Sequence, residues 1–296
     1  MLRVGITCGD PNGIGPEVVQ KALKIVTVGT WRAMPLPSIT PILFGFENIP
    51  ARESGPTAAS GAWSYAALEA ATAAALKKEI DVLVTAPISK TAWKLAGITQ
   101  FTGHTDYLEA KCGAHVRMGF LSDPLNVVLQ TIHTPLLKTI HAINPDSIFE
   151  SLRIIDGFWK QHLHARPRIA VCGYNPHAGE GGLMGDEEQR LIAPGIEKAR
   201  TLGIQADGPF SPDTIFYQVV QKKSYDVVLA MYHDQGLIPV KTLAFDQAVN
   251  VTLGLPFVRT SPDHGTAYDI AGKDLADPSS MVEAIRWGVK LVRPSC

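Results

Sequence analysis

No apolar run in this 296-residue chain approaches the roughly 18 residues that a membrane span needs, which excludes a helical membrane protein. Cysteine is scarce. Cys8, Cys112, Cys172 and Cys296 are far apart and form no CxxC pair, which excludes a zinc knuckle or a disulfide frame and fits reduced thiols in a cytoplasmic protein. An excess of one charge is also missing, with 27 Lys and Arg against 28 Asp and Glu. Without a basic face, nucleic acid is not the expected partner. The first ten residues, Met1 to Asp10, lack the long apolar segment of a secretory signal and read as an immediate strand. Nucleotide fingerprints are absent as well. Gly9-Asp10-Pro11-Asn12-Gly13-Ile14-Gly15-Pro16-Glu17 satisfies neither GxGxxG nor GxxxxGK[ST], so it reads as a substrate-side or structural turn entering a helix.

What the chain does have is alternation of short β-branched runs with longer helical stretches, the pattern of a mostly parallel α/β sheet. The expected strands are Leu2–Thr7, Ile39–Phe44, Asp81–Thr85, Asn126–Thr131, Arg168–Cys172 and Asp226–Ala230. The alanine-rich stretch Ala58–Glu79 is expected to be a helix lying close on the sheet. Further helices are expected at Pro145–Gln161, Asp186–Leu202 with Asp186 as N-cap, Asp213–Lys222 and Ser279–Val292. Trp31–Pro37 and Asn48–Gly61 read as loops.

Three of the strand runs lead into a histidine: His133, His177 and His233. In open α/β sheets ligands collect beyond the carboxyl ends of strands, and three imidazoles make a metal set that leaves positions for water or substrate. For any one of them a buried, hydrogen-bonded imidazole is the plainer reading; their shared position favours a set. Asp234 beside His233 is either a turn residue or a partner or further ligand of the same site. The loop Gly179–Gly182 offers backbone N–H groups to a ligand, or is simply a loop. Lys241, Asn250 and Arg259 are anion-binding candidates, although most lysines and arginines are solvated charges. Gly103-His104-Thr105-Asp106 reads as a turn into a helix N-terminus, with Thr105 as a cap and an anion site of its own. His115, His141, His162 and His164 read as surface or packing residues.

The segment Asp263-His264-Gly265-Thr266-Ala267-Tyr268-Asp269-Ile270-Ala271-Gly272-Lys273 resembles the adenosine-binding loop of the isocitrate/isopropylmalate dehydrogenase superfamily. Taken with Gly9–Glu17, Gly103–Asp106, Gly173–Gly182 and Tyr232–Lys241, the chain from Val4 to about Leu291 resembles the 4-hydroxythreonine-4-phosphate dehydrogenase family of pyridoxal phosphate biosynthesis. The resemblance implies a two-domain α/β/α fold with a mixed, mostly parallel sheet that is not Rossmann. Residues 1–101 with 256–296 would form the cofactor-side domain, and 102–255 a central domain carrying the metal ligands and dimer interface. Relative to this family the region Phe44–Gly61 is short.

The family's residues map onto catalytic and metal positions His133, His177 and His233, with Asp234 beside them. Substrate contacts map onto His104, Thr105, Asp213, Lys241, Asn250 and Arg259. Cofactor contacts map onto His264, Gly265, Thr266, Ala267, Asp269 and Asp277. The family is a homodimer whose metal site takes His133 and His177 from one subunit and the partner's His233. One divalent ion (zinc, magnesium or cobalt) and NAD or NADP are implied, with the Asp269 carboxylate favouring NAD by repelling a 2′-phosphate.

The implied reaction oxidises 4-phosphohydroxy-L-threonine at C3 to 2-amino-3-oxo-4-phosphobutanoate, which loses CO2 to give 3-amino-2-oxopropyl phosphate. Sister enzymes act on four-carbon sugar-acid phosphates such as threonate or erythronate 4-phosphate. More remote readings are a metal-dependent phosphohydrolase, which would leave His264–Lys273 without a purpose, and a non-catalytic metal-binding or interaction module, which would bind no cofactor.

Overall fold

The computed structural model describes residues 1–31, 34–35 and 38–292. In chain order, the first part of the chain holds β1 (Leu2–Thr7), α1 (Gly15–Val28), β2 (Thr30–Trp31), β3 (Met34–Pro35), β4 (Ile39–Phe44), α2 (Ala58–Leu76), β5 (Val82–Thr85), α3 (Lys90–Leu95) and α4 (His104–Cys112). The middle holds β6 (Arg117–Leu121), β7 (Val127–Leu129), α5 (Leu136–Thr139), α6 (Pro145–His162), β8 (Ile169–Cys172), α7 (Ala193–Thr201), β9 (Ala206–Phe210), α8 (Pro212–Lys222), β10 (Val227–Ala230) and α9 (His233–Ala244). The chain ends with β11 (Val249–Leu253), β12 (Val258–Ser261) and α10 (Ser279–Val292).

Two compact units result, Met1–His115 with Val249–Cys296, and Val116–Ala248. Both borders differ from the expected 101/102 and 255/256. Helix α4 belongs to the discontinuous unit because Tyr107 is buried there, edge-on to Tyr65 at 5.4 Å and Phe101 at 5.2 Å. His104, Thr105 and Asn250 therefore belong to the discontinuous unit, and the strand-end histidines to the central one.

In the discontinuous unit the strand order is β4-β1-β5-β12-β11. The first four are mutually parallel and β11 is antiparallel to β12. In the central unit the order is β6-β7-β10-β8-β9, with only β6 antiparallel. The sheets are thus mixed and mostly parallel. Strands β5, β8 and β10 are buried at every position, as expected of parallel strands covered on both faces.

All six expected strands form. Asn126 and Thr131 fall outside β7 because their side chains bond elsewhere: Asn126 Nδ2 donates to the Asp226 carbonyl, and Thr131 Oγ1 to the Met231 carbonyl. Strand β9 was hidden by its Gly208-Pro209 pair, which suppresses a strand reading and suits an edge position. In the expected loop Trp31–Pro37, β2 pairs antiparallel with β3; residues 32–33 and 36–37 lie outside the described residues.

The expected helix Asp186–Leu202 divides into a π-helical turn, Glu188–Ile192, and α7. Pro194 lacks the N–H that a continuous α-helix would direct to Arg190. Asp186 does not cap it; its carboxylate instead accepts from Arg190 Nε at 3.0 Å.

Helix α2 starts at a capping box in which Thr57 and Ser60 bond each other's backbone N–H. Its small-residue face serves close packing: a methyl group at Gly61 would run into the backbone carbonyl of Ala92 on α3. Gly61→Ala is expected to lower stability by about 1–3 kcal/mol through overpacking. The denaturant midpoint measures this, and an unshifted midpoint would show that the α2–α3 contact has slack.

Candidate active site

Strand β10 lies between β7 and β8 in parallel register, with Ala230 opposite Leu129 and Leu229 opposite Val171. The three chains therefore leave the sheet at one edge. Beyond it, Gln130 N–H donates to the Ala230 carbonyl at 2.8 Å and Thr131 Oγ1 to the Met231 carbonyl at 2.8 Å. These bonds tie the segment carrying His133 to the segment carrying His233. Helix α9 comes close to β7 because Gly236 has no side chain; a Cβ there would meet Leu129 Cδ2 at 2.6 Å and Val127 Cγ1 at 2.8 Å.

His133 and His233 accordingly meet, with ring centroids 5.9 Å apart and planes tilted by 37°. His233 is the first residue of α9. Asp234 Oδ1 lies 2.7 Å from His233 Nδ1. This bond orients the ring so that Nε2 is the nitrogen that could take a metal ion, the arrangement in which a carboxylate stands behind a metal-bound imidazole. The resemblance allots His133 and His177 to one subunit, whereas the close ring pair within this chain is His133 with His233. Among the described residues, no three His, Cys, Asp or Glu side chains of one chain converge as a metal-holding group.

His177 stands on the loop after β8. Five successive residues there, His177 (φ 51°), Ala178 (51°), Gly179 (75°), Glu180 (42°) and Gly181 (69°), are left-handed. Each non-glycine residue in that conformation costs roughly 1–2 kcal/mol, so surrounding contacts must hold the loop. Glu188, 3% exposed, accepts from the backbone N–H of Tyr174 at 2.8 Å and of Asn175 at 2.7 Å. Buried Gln235 joins the β8 and β10 exits, accepting from Met231 N–H at 2.7 Å and donating to the Gly173 carbonyl at 2.9 Å. Asp213, at the start of α8, is held below the usual carboxylate range first by its bond from Ser211 and further by the nearby His177. Lys241, half-buried on α9, lies 5.7 Å from the centre of the Phe245 ring.

In the discontinuous unit, Arg259 on β12 is 2% exposed. Its guanidinium donates to Thr85 Oγ1 at 2.6 Å, Thr252 Oγ1 at 3.0 Å and Asn250 Oδ1 at 3.2 Å. All are neutral acceptors. Burial presses its pKa down to about 9, yet the guanidinium remains charged at neutral pH. Nearby His104 has a buried Nε2 with no hydrogen-bond partner, although the residue as a whole is only part-buried. Burial first, and then the Arg259 charge, hold its pKa well below the usual value. Thr105 is not a cap: Gly103 is the N-cap of α4, and the Asp106 carboxylate accepts from Thr102 N–H.

The segment after β12 is held by the N-terminal turn. Ile14 N–H donates to the Thr266 carbonyl at 2.8 Å, and Tyr268 Oη donates to Asp10, a fully buried carboxylate, at 2.7 Å. In the glycine-rich turn Gly9–Glu17 the N–H of Ile14, the N-cap of α1, thus meets the chain's own carbonyl where a Rossmann turn would meet pyrophosphate. His264 has a buried Nε2 without a partner, while Gly265 and Asp269 are exposed and Thr266 and Ala267 part-buried. Asp277 accepts from the N–H and hydroxyl of Ser279 at the head of α10.

Reading the sequence missed Glu188, Gln235, Asp10 and Tyr268 as site-shaping residues. Glu188 lies in Asp186-Glu187-Glu188-Gln189-Arg190, which reads as a solvated helical face; only burial distinguishes it. The environment of His104 has a consequence for stability. Its folded pKa lies below the ordinary 6.5, so the unfolded chain takes up the proton first. Its contribution is complete above about pH 6.5 and declines as pH falls below it. Denaturant midpoints at pH 7.5 and 5.5 should separate more for the parent than for His104→Gln. Equal separations would contradict this.

A family model described as pyridoxal phosphate biosynthetic protein PdxA matches residues 17–288. A 4-hydroxythreonine-4-phosphate dehydrogenase of Sulfurihydrogenibium sp. (strain YO3AOP1) is 39% identical over 323 residues, covering 99% of each chain. The crystal structure of a 4-hydroxythreonine-4-phosphate dehydrogenase from Klebsiella pneumoniae superposes with TM-score 0.85 at 35% identity, covering 98% of each chain. At the level of fold alone, a β-decarboxylating dehydrogenase from Thermococcus kodakarensis superposes with TM-score 0.52 at 16% identity, over 96% of this chain and 82% of that one. Matched over nearly its whole length, the chain belongs to the pyridoxal phosphate biosynthetic protein PdxA family.

Proposed function

We propose that the protein is a cytoplasmic 4-hydroxythreonine-4-phosphate dehydrogenase, oxidising the C3 alcohol of 4-phosphohydroxy-L-threonine with NAD and a divalent cation. The observation that carries this reading is the pairing of His133 with His233 at the sheet edge, 5.9 Å between ring centroids. The donor set fits a cation: His233 Nδ1 is engaged by Asp234, which leaves Nε2, and imidazoles suit zinc or cobalt while magnesium would keep water ligands. His133, His177 and His233 would hold the ion, which would supply Lewis acidity toward a secondary alcohol, while NAD would supply the hydride acceptor.

The chain's own residues supply charge, orientation and proton handling. Arg259, a buried cation whose described acceptors are all neutral, is suited to an anionic substrate group. His104 Nε2, buried and unpartnered, would bond the same group, with Asn250 orienting the guanidinium and Thr105 and Lys241 as further contacts. Asp234 holds the His233 ring, and Asp213 at the start of α8 would be a further substrate contact. The segment His264–Asp269, with Asp277 behind it, would take the adenosine of NAD, and Tyr268 on Asp10 keeps that segment in place.

Three imidazoles around one ion require more than the pair within one chain, which supports a homodimer. A groove of about 560 Å³ between α8 and α9 is lined by Phe216, Tyr217, Ile238 and Leu243 together with Asp213 and Asp234. Tyr217, Ile238 and Phe245 are more than 60% exposed. A second copy covering this apolar face would be brought to the histidines.

With NAD and zinc, the purified protein is expected to reduce the cofactor with 4-phosphohydroxythreonine faster than with threonate 4-phosphate. His133→Ala should cut kcat at least a hundredfold with the fold intact by circular dichroism. Preference for the sugar-acid phosphate would move the protein to the sister reaction, and near-normal turnover by His133→Ala would remove that ring from the site. Asp269→Asn is expected to raise kcat/KM with NADP relative to NAD, and an unchanged cofactor ratio would contradict the role given to that carboxylate.

A further inference from the structure

We propose that Glu188 is a positioning residue for His177, holding the left-handed loop in the one shape that presents the imidazole beyond β8. The inference rests on the reading of His177 as a metal ligand. The loop winds through short 3-10 turns over Pro176–Gly182, five of whose residues are left-handed, and its flanks are tied by Ala178 N–H to the Asn175 carbonyl at 3.1 Å and Met184 N–H to the Gly179 carbonyl at 3.1 Å. A carboxylate braces its entry from behind. Glu188 Oε1 accepts from both Tyr174 and Asn175 N–H, and Oε2 accepts from Asn175 Nδ2 at 3.1 Å.

The fit is close on both sides. A Cβ at Gly179 would meet Glu188 Oε2 at 2.6 Å, and one at Gly173 would meet Ala178 Cβ at 2.8 Å and Glu188 Oε1 at 3.1 Å. Gly179 is thus fitted against the carboxylate, and Gly173 first of all against Ala178. Glu188 occupies the first position of the π-helical turn Glu188–Ile192. Such turns are rare and concentrate at functional sites, where the extra residue redirects a side chain.

The carboxylate's partners show why its charge matters. Two backbone N–H groups converge on one oxygen, an arrangement that favours an anion. Glu188→Gln replaces one oxygen with a donor and leaves a neutral acceptor for the rest, so the loop should lose its set shape without loss of side-chain volume. Glu188 touches the loop and not the reacting groups. Its effect therefore falls on metal affinity and local order.

The test compares the full-length parent, Glu188→Gln, Gly179→Ala and His177→Ala by zinc competition against a chromophoric chelator and by hydrogen exchange of the 174–185 amides. Glu188→Gln is expected to weaken zinc binding about ten- to hundredfold, as changes in the groups supporting a metal ligand do. It should also speed exchange at Tyr174 and Asn175, while amides of β8 and β10 keep parent protection. Gly179→Ala, which displaces the loop from the other side, should weaken zinc binding to a similar extent and decides the matter if Glu188→Gln does not fold. Parent-like zinc affinity in whichever of these variants folds overturns the positioning role. Parent-like affinity in His177→Ala instead overturns the metal reading beneath it.

Discussion

The parallel register of β7, β10 and β8 is the constraint on which the site depends. It is set far from any chemistry, by fully buried aliphatic residues such as Val127, Val228 and Val171. A one-residue slip would turn each strand's side chains to the opposite face. With the register fixed, the three strands end side by side, and the segment after each is delivered to the same edge. Gly236 then lets α9 settle onto β7, so that His233, the first residue of that helix, comes to face His133. The convergence of two sequence-distant imidazoles is thus a property of hydrophobic packing as much as of polar bonding.

The buried charges divide into two kinds. Asp10 and Glu188 are carboxylates satisfied by neutral donors, hydroxyl and backbone N–H groups. Their role is complete within the chain: each fixes a segment that has little regular structure, the turn after β1 with the segment after β12, and the loop after β8. Arg259 differs. Its acceptors disperse the guanidinium's hydrogen bonds but supply no opposing charge, and a buried cation of that kind is expensive. A bound anion would relieve it. Buried negative charge thus shapes loops in this molecule, whereas the buried positive charge of Arg259 meets only neutral acceptors.

Much of this was legible in the sequence. The six strand runs announced themselves through β-branched content, and the resemblance carried by His264–Lys273 led to the right family and fold class. Among the strands that escaped notice, β9 contains Gly208-Pro209 and β12 places a buried arginine among its four residues. The N-cap roles expected of Asp186 and Thr105 failed because Asp186 binds Arg190 and Gly103 precedes α4 as its cap. Glu188 and Gln235 were illegible because a polar residue inside a helical stretch ordinarily faces water; only tertiary packing reveals that these two turn inward and hold backbone. Which histidines pair within one chain was equally beyond the sequence, since spacing says nothing about rings brought together by strand register.

The most direct test of the account is X-ray absorption at the zinc edge of the protein loaded with one equivalent of zinc per chain. The histidine set requires a shell of nitrogen and oxygen with the outer-shell scattering of about three imidazole rings, falling by one ring in His177→Ala. A spectrum without imidazole scattering, or one unchanged by that substitution, would contradict the claim that these three histidines surround the ion.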